Sequence, residues 1–464
     1  MEIILMNAYT LKSRPIPFSD DWDVIVAGGG PSGSTAAAAA AREGARTLLI
    51  ESSGALGGSG TSALVPAWCP FSDKEKVIYR GMAEKVLEKC KAGMPHVRRE
   101  DVDWIPIDAE RLKRVYDDLV TGSGAKLLFN TVLSAVERDE QGGVSTLILS
   151  NKQGLSAYQA KVYIDCTGDA DLAAWAGAEF HKGNENGELM PATHCFILSN
   201  VDDFAYRHLY QSGAGIFSGN PKSRIYDILK SGKYPLIPDA HLCNNSVGPG
   251  AVGFNAGHIW NVDNTDPGSV SEALVLGRKM AAQYRDALAE YCPEAFGNAF
   301  LSVTGSQVGI RETRRIVGEY TLTLADYLGR RSFADEICRN SYFIDVHQRL
   351  GAVEKEAYHY GPGESHGIPY RCLVPKGLRN VLVAGRPISC DATVQGSVRV
   401  MPVCLAMGEA AGIAAAHSAR LHEGDVHTID TDRLRERLKS EGAYLPTYDD
   451  RANTPNAEVT SSSQ

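Results

Sequence analysis

The sequence lacks the cysteine spacing that marks a redox dithiol or a zinc ribbon. Its ten cysteines are scattered over 464 residues, and no two of them have C-x-x-C spacing. That spacing is typical of zinc ribbons and of dithiol redox sites. Disulfide frameworks belong mainly to short, cysteine-rich secreted chains. The pattern therefore predicts reduced cysteines in a cytoplasmic protein, with no metal site.

Long apolar runs and an excess of basic residues are also missing. The alanine-rich run at 35–41 is too short to cross a membrane. Residues 1–10 lack the basic leader and the long apolar core of a signal peptide. The formal net charge is -9 and the pI is about 5.8. This balance argues against nucleic acid or an anionic membrane as the main partner, and we expect neither.

One stretch near the start has a strong nucleotide-binding pattern. An apolar strand follows Asp23, and Gly28, Gly30 and Gly33 then stand at G-x-G-x-x-G spacing. A run of helix formers and a second apolar strand come next, and that strand ends at Glu51. A strand, a glycine turn, a helix and a strand closed by an acid form the dinucleotide-binding βαβ fingerprint.

Each part of this fingerprint has a physical reason. Gly28 allows the tight turn, Gly30 lets the backbone approach a pyrophosphate, and Gly33 lets the helix pack on the strand. The helix N-terminus offers free N–H groups to phosphates. Glu51 can accept hydrogen bonds from an adenosine ribose. A glycine turn that binds nothing is the alternative, and the complete βαβ context disfavours it.

The chain divides by character into separated pieces. Residues 22–61, 160–177 and 378–415 have the character of a nucleotide domain, whereas the region between the last two has no nucleotide signature. We interpret that middle region as a substrate domain inserted into a cofactor domain. The predicted boundaries are a lead-in at 1–20, cofactor-domain parts at 21–190 and 376–445, a substrate or cap domain at 191–375, and a disordered tail at 446–464.

With these pieces in place, the chain resembles the FAD-dependent oxidoreductases of the glutathione-reductase-type superfamily. This group is related to succinate dehydrogenase and fumarate reductase flavoproteins. The stretches that carry the resemblance are Asp23–Ser34 with Ala37, Glu51–Gly58, Tyr163–Asp171, Arg311–Tyr320, Ile368–Pro375 and Asn380–Gly412. The resemblance implies an α/β fold: a Rossmann-like FAD-binding domain, built on a parallel sheet with a three-stranded crossover, plus an inserted α+β substrate domain.

The resemblance also implies which residues hold FAD. They are Gly28, Gly30, Pro31, Ser32, Gly33, Glu51, Ser52, Gly57, Gly58, Ser59, Thr61, Val132, Thr167, Gly168, Asp169, Gly385, Arg386, Val400, Met401 and Val403. In this assignment the helix that begins near Val400 directs its positive dipole end at the flavin. A positive end there would stabilise reduced flavin, which is anionic on that side.

Two departures from related proteins shape the prediction. Succinate dehydrogenase and its relatives often tether FAD through a histidine in the loop after the acid, but Gly58–Thr61 contains none. We therefore predict non-covalent FAD. The chain has a single G-x-G-x-x-G and no C-x-x-x-x-C near it, so a built-in nicotinamide domain is not expected. Electrons would come from the organic substrate or pass to and from an external carrier.

Four residues are candidates for catalysis, because flavin chemistry needs a group that handles the substrate's proton. His366 lies just before a stretch shared with the family, Tyr370 lies within that stretch, and His258 is a second histidine candidate. Arg311 could clamp a carboxylate-bearing substrate. The alternatives are a structural hydrogen bond for His366, a packed strand position for His258 and a structural ion-pair cluster for Arg311. His347 is a weaker candidate.

The sequence thus predicts a cytoplasmic FAD-dependent oxidoreductase that transfers a hydride between a small organic substrate and FAD. Dehydrogenation of an alcohol or of a C–C bond is the favoured reaction. One alternative is a fumarate-reductase-like enzyme that reduces an activated double bond. Another is a flavin-fold RNA-modifying or scaffold protein. Substrate identity, electron acceptor and oligomeric state stay open.

Overall fold

A computed structural model describes residues 9–211, 216, 220–347 and 358–446 of the chain. Residues 1–8 of the predicted lead-in lie outside this described part. The predicted disordered tail also lies outside it, apart from Pro446.

The described residues form alternating strands and helices in the following order. The strands are β1 (Phe18–Ala27), β2 (Thr47–Ile50), β3 (Lys126–Leu128), β4 (Val132–Arg138), β5 (Val144–Asn151), β6 (Gly154–Asp165), β7 (Phe180–Lys182), β8 (Phe196–Ser199), β9 (Leu242–Gly248), β10 (Ala251–Ala256), β11 (Phe300–Thr304), β12 (Arg314–Ile316), β13 (Glu336–Asn340), β14 (His366–Pro369) and β15 (Val381–Val383). The α-helices are α1 (Pro31–Arg42), α2 (Met82–Lys91), α3 (Ala109–Gly122), α4 (Asp171–Trp175), α5 (Asp203–Gln211), α6 (Arg224–Ser231), α7 (Pro267–Tyr291), α8 (Pro293–Phe296), α9 (Leu324–Leu328), α10 (Ala392–Val398), α11 (Met401–Leu421) and α12 (Thr431–Ser440).

The main sheet carries parallel strands in the order β3-β2-β1-β6-β15. In register, Val24 of β1 lies beside Thr47 of β2 and Val162 of β6. The antiparallel pair β4 and β5 joins the first half of the long strand β6, so β4, β5 and β6 form a three-stranded crossover. The carboxyl-terminal parts of the central strands, Val24–Ala27 of β1 and Val162–Asp165 of β6, are buried, as expected of parallel strands covered on both faces. This arrangement confirms the predicted Rossmann-like sheet with its crossover.

Helices α1 and α11 pack against each other unusually closely because their contact is made of small residues. A methyl group on Gly408 would come within 2.1 Å of the Ser32 carbonyl oxygen, and one on Gly412 within 2.2 Å of the Ala36 oxygen. The Thr35 hydroxyl donates to the Leu405 carbonyl at 2.8 Å. This contact brings the two helix N-termini to the same end of the sheet.

A second sheet lies in the middle of the chain, with strand order β11-β8-β10-β9, all antiparallel. Its core holds Phe196, Phe254 and Tyr284 in stacked and tilted ring contacts. This is the α+β unit inserted into the cofactor domain. The domain boundaries at 190 and 375 stay predictions. Residues of 322–374 pack into the core of the main sheet, which favours assigning that segment to the first unit.

Two helices differ from what the sequence pattern predicts. The helical spacing of apolar residues predicts a helix over 73–92, but the helix begins only at Met82, because the Asp73 side chain accepts from the N–H groups of Glu75 and Lys76 and forms a turn instead. The run of small and apolar residues predicts one long helix over 399–419, but α11 is the second of two helices, since α10 and α11 meet at a bend of 90°. Pro402 lies in the first turn of α11, where its missing N–H costs nothing.

Among the described residues, no single helix is long and apolar enough to cross a membrane. The bent pair α10 and α11 passes that test of length and composition only when its two helices are taken together.

Candidate functional site

A cavity of about 1070 Å³ opens at the carboxyl ends of the parallel strands. Its lining includes a residue at or just after the end of each of four strands: Ala27 at the end of β1, Ile50 at the end of β2, Cys166 after β6 and Ala384 after β15. Open α/β sheets bind their ligands at this edge, where neighbouring strand ends separate. We call the part built on these strand ends the nucleotide half.

The glycine turn after β1 shows three different reasons for glycine. Gly28 has a φ of +95°, and a methyl group there would come within 2.4 Å of the Cys166 carbonyl oxygen. A methyl group on Gly33 would come within 1.8 Å of the Gly28 oxygen. Gly30 differs, since a methyl group there would meet nothing within 4 Å. Gly28 and Gly33 are therefore required for packing, and Gly30 keeps space open beside the cavity.

Two helices begin at the cavity with uncapped first turns. Gly30 precedes α1 and Val400 precedes α11, and neither provides a side-chain cap. Gly30, Pro31, Val400 and Met401 line the cavity. An uncapped helix N-terminus presents free N–H groups and the positive end of the helix dipole. The nucleotide half can therefore bind negative charge from two directions.

Glu51 is held rigidly at the end of β2. Its Oε2 accepts from the Gly29 N–H at 2.7 Å, and its Oε1 accepts from the Ser53 N–H at 2.7 Å. The residue is buried and lines the cavity. A carboxylate oxygen accepts more than one hydrogen bond, so Glu51 retains capacity for two ribose hydroxyls.

The turn after β6 is fastened to the inserted unit by Arg386. Its Nη2 lies 2.6 Å from the Asp169 carboxylate, and its Nε donates to the Gly168 carbonyl at 2.8 Å. Asp169 also accepts from Asn264 of the inserted unit. Below the turn, burial raises the pKa of Asp165 to about 6. The Arg386–Asp169 pair thus joins two separate parts of the cofactor domain, and Asn264 ties Asp169 to the inserted unit.

Most of the residues predicted to hold the cofactor line this cavity. They are Gly28, Gly30, Pro31, Ser32, Glu51, Ser52, Gly58, Ser59, Val132, Thr167, Gly168, Asp169, Gly385, Arg386, Val400 and Met401. Gly33, Gly57, Thr61 and Val403 are not among its described lining residues. The Thr61 hydroxyl, for example, donates to the Leu56 carbonyl at 2.6 Å and fixes the loop from behind.

The far end of the cavity carries buried charge. We call it the charged end, and it consists of His241, Arg311, Asp345, His347 and Arg399. Arg311 donates from Nη1 to the Pro191 carbonyl and to the Thr193 hydroxyl, both at 2.8 Å. Burial and the neighbouring Arg399 lower the pKa of Arg311 to about 10, so it remains cationic at neutral pH.

Asp345 links the arginines to the histidines. Its carboxylate lies 3.3 Å from Nη2 of Arg399 and 3.3 Å from Nε2 of His347. Burial raises the pKa of Asp345, but His347, Arg399 and Arg311 together more than offset this and hold it well below its usual range. Asp345 is therefore a carboxylate at any pH at which the protein would work.

The histidines form a compact group. His258 contacts Asp239 through Nδ1 at 2.9 Å and His347 through Nε2 at 2.8 Å. The His241 ring stacks on the His258 ring with centroids 4.4 Å apart. Burial, with Arg311 nearby, lowers the pKa of His347 to about 4. Two of the four catalytic candidates, His258 and Arg311, are thus brought together at the charged end or directly behind it.

His366 and Tyr370 are placed elsewhere. His366 is fully buried in β14, where its Nδ1 lies 2.8 Å from the Tyr360 hydroxyl. Burial lowers the pKa of His366 to about 3. The Tyr370 hydroxyl donates to the Val426 carbonyl at 2.8 Å. Neither residue is among the described residues that line the cavity, so geometry gives no support to their predicted catalytic role.

Sequence reasoning missed most of the charged end. His241, Asp345 and Arg399 were not candidates, and His347 was ranked low. A local signal existed in Asp345-Val-His347, an acid and a histidine two residues apart in an extended segment. Such a pair is common by chance, so it becomes informative only when the fold places Arg399 and His258 beside it.

The fold and the cavity define an α/β protein with a dinucleotide site at the ends of parallel strands. The sequence profile of the family described as "FAD dependent oxidoreductase" matches residues 23–438, and the chain belongs to that family. Membership confirms the predicted cofactor, FAD, and the prediction that the protein is an enzyme. A comparison with curated proteins found no match.

Solved structures with a similar fold include a geranylgeranyl bacteriochlorophyll reductase-like protein from Thermoplasma acidophilum. It is 13% identical, with 94% of this chain and 95% of that chain covered and a TM-score of 0.46. OxyS anhydrotetracycline hydroxylase from Streptomyces rimosus is 15% identical, with a TM-score of 0.42 and coverages of 90% and 65%, so the chain spans about two thirds of it. The myxobacterial chondrochloren halogenase CndH is 12% identical, with a TM-score of 0.43 and coverages of 91% and 78%.

The nucleotide half fits FAD on its own chemistry. It offers two uncapped helix N-termini for phosphates, a fixed acid for the ribose at Glu51, and the open space at Gly30. When bound, FAD accepts or donates a hydride.

Proposed function

We propose that the protein dehydrogenates a small hydroxylated organic substrate, transferring a hydride to non-covalently bound FAD. The observation that carries this proposal is the continuity of the cavity. One space of about 1070 Å³ runs from the helix N-termini to the charged end. A substrate bound among the charged side chains would therefore lie in the same compartment as the cofactor.

The lining of the charged end supports a polar substrate. Arg311 and Arg399 suit a carboxylate or several hydroxyls, and Asn244, Asn255 and Gln307 also line the cavity. Amides both donate and accept hydrogen bonds, which suits hydroxyl groups. We therefore favour a hydroxy acid or a polyol over an apolar substrate.

Dehydrogenation of an alcohol also releases a proton from the hydroxyl group. His241 and His347 are the imidazoles among the described lining residues, and His258 lies directly behind them. Histidine is the side chain most often used for proton transfer. We assign the handling of this proton to the histidine group.

The test is anaerobic reduction of the bound flavin by a panel of hydroxy acids, polyols and simple alcohols. We expect at least one hydroxy acid or polyol to bleach the flavin absorption within seconds, with the carbonyl product formed in equal amount. Simple apolar alcohols serve as the matched control and should not bleach it. If no compound bleaches the flavin and RNA binds at physiological salt, the scaffold alternative replaces this proposal.

The two arginines of the charged end, Arg311 and Arg399, favour a second candidate reaction: reduction of an activated double bond in an unsaturated acid. Arg311 is cationic and buried, as a group that recognises a carboxylate should be. In that case flavin reduced with dithionite would be reoxidised anaerobically by an unsaturated dicarboxylate. Reoxidation by that acid, without bleaching by its saturated hydroxy analogue, would favour the reductase reaction.

The non-covalent state of FAD has its own test. No histidine lies in Gly58–Thr61, although Cys69 lines the cavity. Burial raises the pKa of the Cys69 thiol to about 12, so it is a poor nucleophile. Acid precipitation should leave all of the yellow colour in the supernatant. Colour that stays with the pellet of the wild type and moves to the supernatant in Cys69→Ala would show a thioether tether instead.

A further inference from the structure

Three histidines meet at the charged end: His241 and His347 belong to it, and His258 lies directly behind it. His241 and His258 flank the hairpin of β9 and β10, and the Gly257 N–H donates to the His241 carbonyl at 2.8 Å. His347 comes from the segment after β13. One nitrogen of each of the three rings lies within 4.8 Å of the others.

The contact between His258 and His347 leaves a place for a cation. Nδ1 of His258 lies 2.9 Å from the Asp239 carboxylate, and carboxylates only accept, so this nitrogen carries the hydrogen of a neutral ring. Nε2 of His258 then presents a lone pair to Nδ1 of His347, 2.8 Å away. A metal ion between these two nitrogens would leave Nε2 of His347 to carry the hydrogen that faces the Asp345 carboxylate, 3.3 Å away.

The third ring favours a metal ion. Nδ1 of His241 is buried without a hydrogen-bond partner among the described groups, and Nε2 has only the Cys243 sulfur, at 3.8 Å. A proton shared by His258 and His347 would leave this nitrogen unsatisfied. A metal ion can accept three imidazoles at once.

Charged groups of both signs lie around the three rings. Asp239 and Asp345 lie beside His258 and His347, and Arg399 pairs with Asp345. The two carboxylates therefore offset part of the repulsion between the arginine and a bound cation.

We propose that His241, His258 and His347 bind one divalent first-row metal ion, with Zn²⁺ as the first candidate. Asp239 and Asp345 are the outer carboxylates that orient two of the ligands, as in carboxylate–histidine–zinc arrangements. Three imidazoles with an open fourth position are typical of catalytic zinc. This replaces the expectation, drawn from cysteine spacing, that the protein has no metal site.

Binding requires a small adjustment of the side chains. Tetrahedral zinc with bonds of about 2.0–2.1 Å places its ligand nitrogens roughly 3.4 Å apart. The inner nitrogens of His258 and His347 would separate by about half an ångström, and the His241 ring would close towards them.

The role of the ion rests on the proposed function. Beside the cavity, the ion would polarise the substrate hydroxyl as a Lewis acid and lower its pKa. With the ion bound, the histidines are its ligands and do not accept the hydroxyl proton themselves, so this proton leaves to solvent. The C–H electron pair leaves as the hydride that FAD accepts, and the C–O bond becomes a carbonyl.

The test is metal analysis of the flavin-loaded full chain, purified without a polyhistidine tag. We expect about one equivalent of zinc, or one equivalent after dialysis against Zn²⁺, and nitrogen hyperfine splitting from imidazoles in the EPR spectrum of the Cu²⁺-loaded protein. His241→Gln and His347→Gln should lose the ion, and Asp239→Asn should weaken binding about 10- to 100-fold. His181→Gln, at an exposed histidine of β7, is the matched control and should keep the ion.

Less than a tenth of an equivalent after dialysis, or a Cu²⁺ spectrum without nitrogen splitting, would overturn the proposal. The same holds if metal content is equal in the His347→Gln and His181→Gln proteins. The Cu²⁺ spectrum of the wild type decides the matter even where a variant does not fold. Flavin bleaching without a metal ion would refute this site and leave the proposed function intact. A bound ion in a protein whose flavin no compound of the panel bleaches would refute the proposed function and leave the metal site intact.

Discussion

The nucleotide half and the charged end share one cavity but are built in opposite ways. The nucleotide half uses backbone: the glycine turn, two helix starts and the loop after Glu51, which come mainly from short continuous segments. The charged end uses side chains from positions that are far apart in the chain, such as His241, Arg311 and Arg399. Backbone recognition leaves a local sequence pattern, whereas assembled side chains leave almost none.

The largest expected effect tests whether glycine in the nucleotide half serves packing or binding. Gly33→Ala forces a methyl group against the Gly28 carbonyl oxygen and should destabilise the protein by about 3 kcal/mol. The methyl group added by Gly30→Ala would meet no atom within 4 Å, so this change should leave the stability of the FAD-free protein nearly unchanged. It should weaken the binding of FAD about 10-fold or more, because the methyl group occupies space that the cofactor needs. Thermal unfolding and FAD titration of both variants make the measurement.

Equal unfolding temperatures for the FAD-free Gly30→Ala and Gly33→Ala proteins would contradict this division. Tight FAD binding by Gly30→Ala would show that the open space beside Gly30 is not used by the cofactor.

The next effect tests the charged end alone. Arg311→Met removes a buried cation and should lower kcat/KM about 100-fold for the substrate that bleaches the flavin, with FAD content unchanged. Arg371→Met is the matched control, because its ion pair with Asp335 lies outside the described lining of the cavity. Stopped-flow reduction of the two variants compares them. Similar rates for both would remove Arg311 from substrate binding.

The smallest kinetic effect is expected at His366, which belongs to neither region. His366→Gln should change the rate of flavin reduction less than about 3-fold, because the residue is a core side chain on Tyr360. It should lower stability by about 1–3 kcal/mol through the altered buried hydrogen bond. A 100-fold slower reduction with full FAD content would restore His366 as a catalytic residue.

The same variant gives a pH dependence. The pKa of His366 is about 3 in the folded protein, below the value of 6.5 expected when unfolded. The unfolded chain therefore binds more protons between these values, so stability from this group is present above pH 6.5 and is lost as the pH falls. The difference in the free energy of unfolding between the wild type and His366→Gln should become smaller by about 2 kcal/mol when the pH falls from 7 to 5. Denaturant unfolding at both pH values measures it, and a gap that widens would contradict the assignment.

Much of the nucleotide half was predictable because each element carries its own signal. The spacing of Gly28, Gly30 and Gly33 requires a turn, and Glu51 directly follows the buried strand Thr47–Ile50. The bend between α10 and α11 was missed, because a continuous run of small and apolar residues also suits one straight helix. The late start of α2 was missed because the turn at Asp73 depends on one side-chain hydrogen bond pattern.

By itself, the sequence determined the cofactor fold, the cofactor FAD and the family, since glycine conformations and helix starts are local properties of a few adjacent residues. Tertiary structure alone decided which histidines lie at the cavity. It buried His366 in the core and brought His258 to His347, 89 residues away along the chain. Distances between side chains depend on how the inserted unit packs on the sheet, and no short segment of sequence encodes that packing.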